Sequence, residues 1–169
     1  METIYGDICD LNIDIDAFVN ASNGMGYMGG LLCRHVKLNG LAENINYLTK
    51  GTVEREAKKK CKLKSYLPRI IACKPAGDVF YTSAGNLKAK HIIHAITMKY
   101  PGTKSKLETI KELLPKIVNT VHILNCKTIA IPLLGAGMGG LKENEVLEIY
   151  KEYFKDIHDL NIIVVIYKN

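Results

Sequence analysis

Apolar and polar positions follow two periods along this chain of 169 residues. Short apolar runs at 3–8, 15–21, 70–73, 79–82, 91–96, 128–133 and 161–167 read as strands. Two of them, TIAIPLL and IIVVIY, are apolar almost without a break, which predicts central strands covered on both faces. Between the strands the spacing lengthens to that of helices, over 31–48, 52–63, 105–124 and 144–160. In the third, Leu107, Ile110, Leu113, Leu114, Ile117, Val118 and Val121 share one face. Pro115 lies inside it and is expected to kink it or to start a new helix. Thr52 is the expected N-cap of the second. Strand and helix patterns alternate throughout, so residues 1–169 are expected to form a single α/β domain of packed layers.

Composition narrows the class. Apolar residues make up 47% and charged residues 24%, ordinary for a packed globular domain. No apolar run approaches the roughly 18 residues of a membrane helix. The first eleven residues carry Glu2, Asp7 and Asp10 and do not read as a secretory signal. A cytoplasmic protein with no membrane partner is expected. The five cysteines, at 9, 33, 61, 73 and 126, form no CxxC pair and are odd in number, so reduced thiols are expected and no metal site. The formal charge of +6 favours anionic partners, and the excess is concentrated in KKKCKLK, 58–64. That run reads as a solvated helix face, because no aromatic residues are interleaved with its lysines. Nucleic acid is therefore not the expected partner. RNA binding through the run is a remote alternative.

Two glycine-rich loops carry the candidate chemistry. Gly135-Ala136-Gly137-Met138-Gly139-Gly140 follows the strand TIAIPLL and precedes a helix. Consecutive glycines let backbone N–H groups converge, and the next helix N-terminus adds partial positive charge, which suits a diphosphate. The loop also fits GxGxxG, but its context is wrong for a dinucleotide-binding domain. It lies late in the chain, and the following strand ends in Tyr167 rather than an acidic residue. The first loop, Gly24 to Gly30, follows the strand at 15–21, with Asn20-Ala21-Ser22-Asn23 before it. Short amides at a strand end can bond ribose hydroxyls without adding charge.

Four segments in order resemble the macro domain family: Gly6-Asp7-Ile8; DAFVNASN with Gly29-Gly30 after it; AGDVFYTSAGNLKAKHIIHAI; and IAIPLLGAGMGGL. The resemblance implies a three-layer fold, a mixed central sheet flanked by helices on both faces, and ADP-ribose or a derivative as ligand. It implies that Asp7 accepts from the adenine amino group, with Ile8 lining the base and Tyr167 stacked on it. Asn20 and Asn23, with Ala21 between them, would surround the distal ribose, Asn23 touching it directly. Gly29, Gly30 and Leu31 would pass the distal ribose and diphosphate. Leu134, Gly135, Ala136, Gly137, Met138 and Gly139 would form the second diphosphate loop. His94 reads as structural.

The departures bear on catalysis. One hydrolase branch carries an aspartate after its glycine triplet, where this chain has Leu31 and Leu32 and only Gly29-Gly30 of the triplet. That branch also places an aromatic in the second loop, where Gly139 stands. Another branch uses a lysine in the first loop and an aspartate in the second; Gly30 and Gly139 stand nearest. The expected activity is hydrolysis of a group on the distal ribose: an ADP-ribosyl link, an O-acetyl ester or a 1″-phosphate. Asn23 is its one candidate catalytic residue, and no cofactor is expected. The alternative is a non-catalytic reader of ADP-ribose or of ADP-ribosylated proteins, and a remote one is an RNA or poly(ADP-ribose) binder using the lysines of 58–64.

Overall fold

The computed structural model describes residues 1–64 and 66–167. Its six strands are β1 (Glu2–Tyr5), β2 (Ala17–Asn23), β3 (Val79–Ser83), β4 (His91–Met98), β5 (Thr128–Pro132) and β6 (Asn161–Ile166). They form one sheet in the order β1-β6-β5-β2-β4-β3, parallel throughout except for β3, which pairs antiparallel with β4. The helices are α1 (Leu41–Leu48), α2 (Thr52–Cys61), α3 (Leu107–Ile123) and α4 (Glu143–Phe154).

Alternate residues of the central strands serve opposite layers. Val19, Ile93, Ile129 and Val164 pack with Leu113 and Ile117 of α3 and Val146 and Phe154 of α4. Their neighbours Phe18, Ile92, Ala130 and Ile163 pack with Ile45 of α1 and Val53 and Ala57 of α2. Covering on both faces is why the strand sequences read as unbroken apolar runs. The result is the expected three-layer α/β fold.

Local expectations are corrected at three places, and at Pro115 one of the two alternatives is decided. Residues 70–73 are not a strand; only an isolated bridge joins Cys73 to Lys62. The helix expected over 31–48 is a single 3-10 turn at Leu32–Arg34 followed by the separate α1. Thr52 does not cap α2: its hydroxyl donates to Thr49 O at 2.9 Å, and Gly51, at φ +78°, occupies the cap position. Finally, α3 runs through Pro115 without starting a new helix. Leu113, Leu114, Ile117 and Val118 are buried on either side of the proline, and that packing holds the helix together where one backbone hydrogen bond is lost.

Candidate ligand-binding cleft

A cleft of about 690 Å³ opens where the parallel strands end, lined by Gly6 after β1, Asn23 of β2, Met98 of β4, Pro132 of β5 and Ile166 of β6. Its place beyond the carboxyl ends of parallel strands, and its size, are those of small-molecule sites in α/β proteins. Among the expected site residues, Asp7, Ile8, Ala21, Asn23, Gly135, Ala136, Gly137, Met138, Gly139 and Tyr167 line it.

At one end the parallel register of β1 and β6 brings two loop ends together: Tyr5 pairs with Ile166, and Gly6 N donates to Ile166 O at 3.1 Å. This sets the Asp7–Ile8 turn beside Tyr167, which is 54% exposed. The Asp7 carboxylate caps the turn by accepting from Cys9 N at 2.9 Å. Its other oxygen accepts from the Asn44 amide of α1, also at 2.9 Å. A carboxylate with both oxygens anchored still has lone pairs for a ligand donor. Asn44 lines the cleft as well, and its buried Oδ1 has no partner. Sequence reasoning missed Asn44, since a lone asparagine in a helical stretch carries no signal of its own.

The second loop forms the opposite wall. Gly135 (φ +77°) and Gly140 (φ +74°) make turns that other residues rarely adopt. Internal bonds consume some donors: Ala136 N to Leu133 O, Gly140 N to Gly137 O, and Leu141 N to Gly135 O. Among the described residues the N–H groups of Gly137, Met138 and Gly139 have no protein partner. Three successive amides without a protein partner, before the N-terminus of α4, are donors available to anionic oxygens. Two supports hold the loop from below. Tyr150 of α4, fully buried, accepts from Leu134 N at 3.1 Å and donates to Pro132 O at 2.8 Å. Ser105 N donates to Gly139 O at 3.0 Å. A Cβ on Gly139 would overlap Ser105 and the Gly135 carbonyl, so the aspartate or aromatic used by other branches has no room there.

The first loop is built differently. The buried Glu54 of α2 accepts from Met28 N and Gly30 N, each at 2.9 Å, and Asn46 of α1 donates to Met28 O and Gly30 O. Gly30 therefore spends its N–H on the protein rather than on a diphosphate. Burial raises the Glu54 pKa, but the two amides and Lys58 Nζ at 3.0 Å outweigh it and hold the carboxyl below its ordinary value. Gly29 is pressed against Cys33 and Glu43, and Leu31 is 69% exposed; neither they nor Gly30 line the cleft. Leu134 lies fully buried under the second loop, away from the cleft.

Asn20, expected at the distal ribose, also lies off the cleft. It is fully buried, with its amide nitrogen 3.2 Å from His94 Nδ1. His94 Nε2 is 2.9 Å from Thr82 Oγ1, whose hydroxyl reaches Ser83 O, so the network assigns a neutral ring protonated at Nε2. Burial lowers the His94 pKa to about 3. Asn23 does reach the cleft, but its side chain first shapes the loop. Its oxygen accepts from Met25 N and Tyr27 N, and its amide donates to Tyr27 O at 2.8 Å, leaving one amide N–H for a ligand.

The sequence model of the macro domain family matches residues 19–150. The chain belongs to the macro domain family. A protein of Aquifex aeolicus, described only as uncharacterized, is 31% identical over 141 residues, covering 83% of this chain and 72% of that one. The DNA ADP-ribosyl glycohydrolase of Mycobacterium tuberculosis is 27% identical over 161 residues, covering 95% of this chain but 41% of the longer relative. Among solved structures, the macrodomain of Mycobacterium tuberculosis DarG superposes with a TM-score of 0.73 at 26% identity, over 96% of each chain. The Oceanobacillus iheyensis macrodomain with ADP gives 0.74 at 18% identity, covering 99% of this chain and 82% of that one, a likeness of fold. This macro domain thus leaves three amides of its second glycine-rich loop unpaired, while Glu54 takes up Met28 N and Gly30 N of the first.

Proposed function

We propose that this macro domain binds ADP-ribose in the cleft and hydrolyses the bond joining a further group to its distal ribose. The observation that carries the reading is the nest of unpaired amides at Gly137, Met138 and Gly139, facing an end built from Asp7, Ile8 and Tyr167. Each part of the ligand finds a matching chemistry. The adenine amino group donates to the Asp7 carboxylate, and the Tyr167 ring covers the base. The diphosphate oxygens accept from the nest. The remaining Asn23 N–H reaches the distal ribose.

No acidic side chain stands where other branches carry one, so a ligand phosphate serves as base. A water attacks C1″ of the distal ribose, the bond from C1″ to the attached group breaks with its electron pair leaving on that group, and the water proton passes by way of the phosphate oxygen to the leaving atom. The similarity to a DNA ADP-ribosyl glycohydrolase supports cleavage at this position. Turnover is tested with an ADP-ribosylated oligonucleotide, an ADP-ribosylated protein and ADP-ribose 1″-phosphate, which carry the group at C1″. It is also tested with O-acetyl-ADP-ribose, where the water attacks the acyl carbon instead, that C–O bond breaks with its electron pair on the ribose oxygen, and the proton passes to that oxygen. Release of ADP-ribose from at least one, lost in Asn23→Ala, is expected. Binding without release from any of them would leave the second reading, a non-catalytic reader, which the blocked side-chain space at Gly139 favours.

A further inference from the structure

Asp7, Glu43 and Glu143 are the carboxylates that line the cleft. Two of them have evident local roles. Asp7 accepts from Cys9 N and from the Asn44 amide. Glu143, exposed in the first turn of α4, complements the positive end of that helix. Glu43 has no such role. It stands in the first turn of α1 and is half-buried. A glutamate there can reach back to cap its own helix, yet no hydrogen bond or ion pair reaches its carboxylate among the described residues. Lys37, which also lines the cleft, does not pair with it.

The backbone makes room for this side chain at two glycines. A Cβ on Gly29 of the first loop would come 3.2 Å from Glu43 Cγ, and one on Gly40 would overlap the carboxylate. Cys33, just after the first loop, feels the same group: burial raises that thiol's pKa, and the Glu43 charge raises it further. Successive residues of a helix diverge by about 100°. Asn44 therefore turns to Asp7 at the adenine end, while Glu43 turns to the first loop, the side on which Asn23 and Tyr27 line the cleft.

A half-buried carboxylate without a partner costs free energy, and a ligand group of opposite charge offsets that cost. Bound ADP-ribose offers none: its distal ribose is neutral, and its diphosphate is anionic and held on the opposite wall. Positive charge arises there only while a bond at C1″ breaks, and a group matched to that moment accelerates the reaction. We infer that Glu43 is a further catalytic residue of the reaction proposed above, on which this role rests, and that it selects substrates linked at C1″ over esters of the ribose hydroxyls. The bond to C1″ lengthens with its electron pair leaving on the attached group, and the charge left behind is shared by C1″ and the ring oxygen. The Glu43 carboxylate faces that charge and takes no proton. Water adds at C1″, and its proton passes by way of the ligand phosphate oxygen to the leaving atom. An ester breaks at its acyl carbon, where negative charge develops instead, and gains nothing from Glu43.

The test is calorimetric titration of the full chain with ADP-ribose and with an analogue whose distal ribose is replaced by a hydroxymethyl-pyrrolidinediol. The ring nitrogen of the analogue is protonated at neutral pH, so it carries permanently the charge that the ribose carries in passing. The parent chain is expected to bind the analogue about tenfold or more tightly than ADP-ribose. In Glu43→Gln, which keeps the shape and removes the charge, the ratio of the two affinities is expected to collapse toward unity. Where turnover is measured, Glu43→Gln is expected to lower kcat for C1″-linked substrates about a hundredfold more than kcat for O-acetyl-ADP-ribose. A parent chain that binds both ligands alike, a variant that keeps the preference, or equal losses of kcat would overturn the inference. Loss of both ligands from the variant would also overturn it, by showing a structural role. No binding of ADP-ribose by the parent chain would refute the cleft reading itself, and the role of Glu43 with it.

Discussion

At the residue scale the informative contrast is between Asn20 and Asn23. Both stand in one short segment and both resemble ribose contacts, yet one is buried against His94 and the other lines the cleft. Strand period explains the difference. Asn20 shares the α1/α2 face with Phe18, and a register shift between Ser22 and Asn23 releases the latter at the strand end. Side-chain direction at a strand terminus depends on such a bulge and is not legible in composition. Asp7 and the second loop were legible, because a carboxylate at a turn and clustered glycines advertise themselves. Asn44 was not. Asn44→Leu removes the donor that fixes Asp7, and is expected to weaken ADP-ribose binding about tenfold, the worth of one hydrogen bond to a charged group. An inosine analogue offers no amino donor to Asp7 and should lose far less, so equal losses for the two ligands would contradict the assignment. Gly139→Ala drives a methyl against Ser105 and the Gly135 carbonyl and disturbs the nest. Calorimetry on that variant is expected to find ADP-ribose affinity down by more than tenfold.

At the scale of elements, the first glycine loop is a part of α2 as much as of β2. Glu54 satisfies two of its amides from inside the helix while facing Lys58 and Arg34, the latter at 3.5 Å. Glu54→Ala leaves those amides and cations without their acceptor, and chemical denaturation is expected to register a loss of about 3 kcal/mol. Because the folded-state pKa of Glu54 is lowered, its contribution is fully present above the unfolded value of about 4.3 and falls away as pH drops through the folded one. None of this partnership is visible in the sequence, where Glu54 reads as an ordinary charge in an amphipathic helix. The 31–48 segment misleads in a related way. Leu31, Leu32, Val36 and Leu38 have helical spacing but are all exposed, and Asn39-Gly40 is the turn signal that separates them from α1.

At the scale of the whole molecule, the layer order and most strands follow directly from the alternation of periods. Boundaries and loop contacts follow only once the sheet is assembled. The buried His94 ties global stability to acid. Its folded pKa is lowered to about 3 against about 6.5 when unfolded, so its contribution is intact above pH 6.5 and is lost as pH falls from there toward 3. Over that window the unfolding free energy is expected to fall by about 1.4 kcal/mol per pH unit on account of this one group. Urea denaturation of the parent chain and His94→Gln across the window checks this. A parallel pH dependence in the two would show that another group governs the loss.

The central claim is that the cleft at the strand ends recognises ADP-ribose through both an adenine end and a diphosphate nest. Isothermal titration of the purified chain with ADP-ribose, alongside AMP and NAD, tests it most directly. The account predicts one site per chain, with ADP-ribose bound at micromolar Kd or tighter and AMP at least about tenfold more weakly, because AMP lacks the second phosphate for the nest. Absence of heat with ADP-ribose, or AMP bound as tightly, would contradict it.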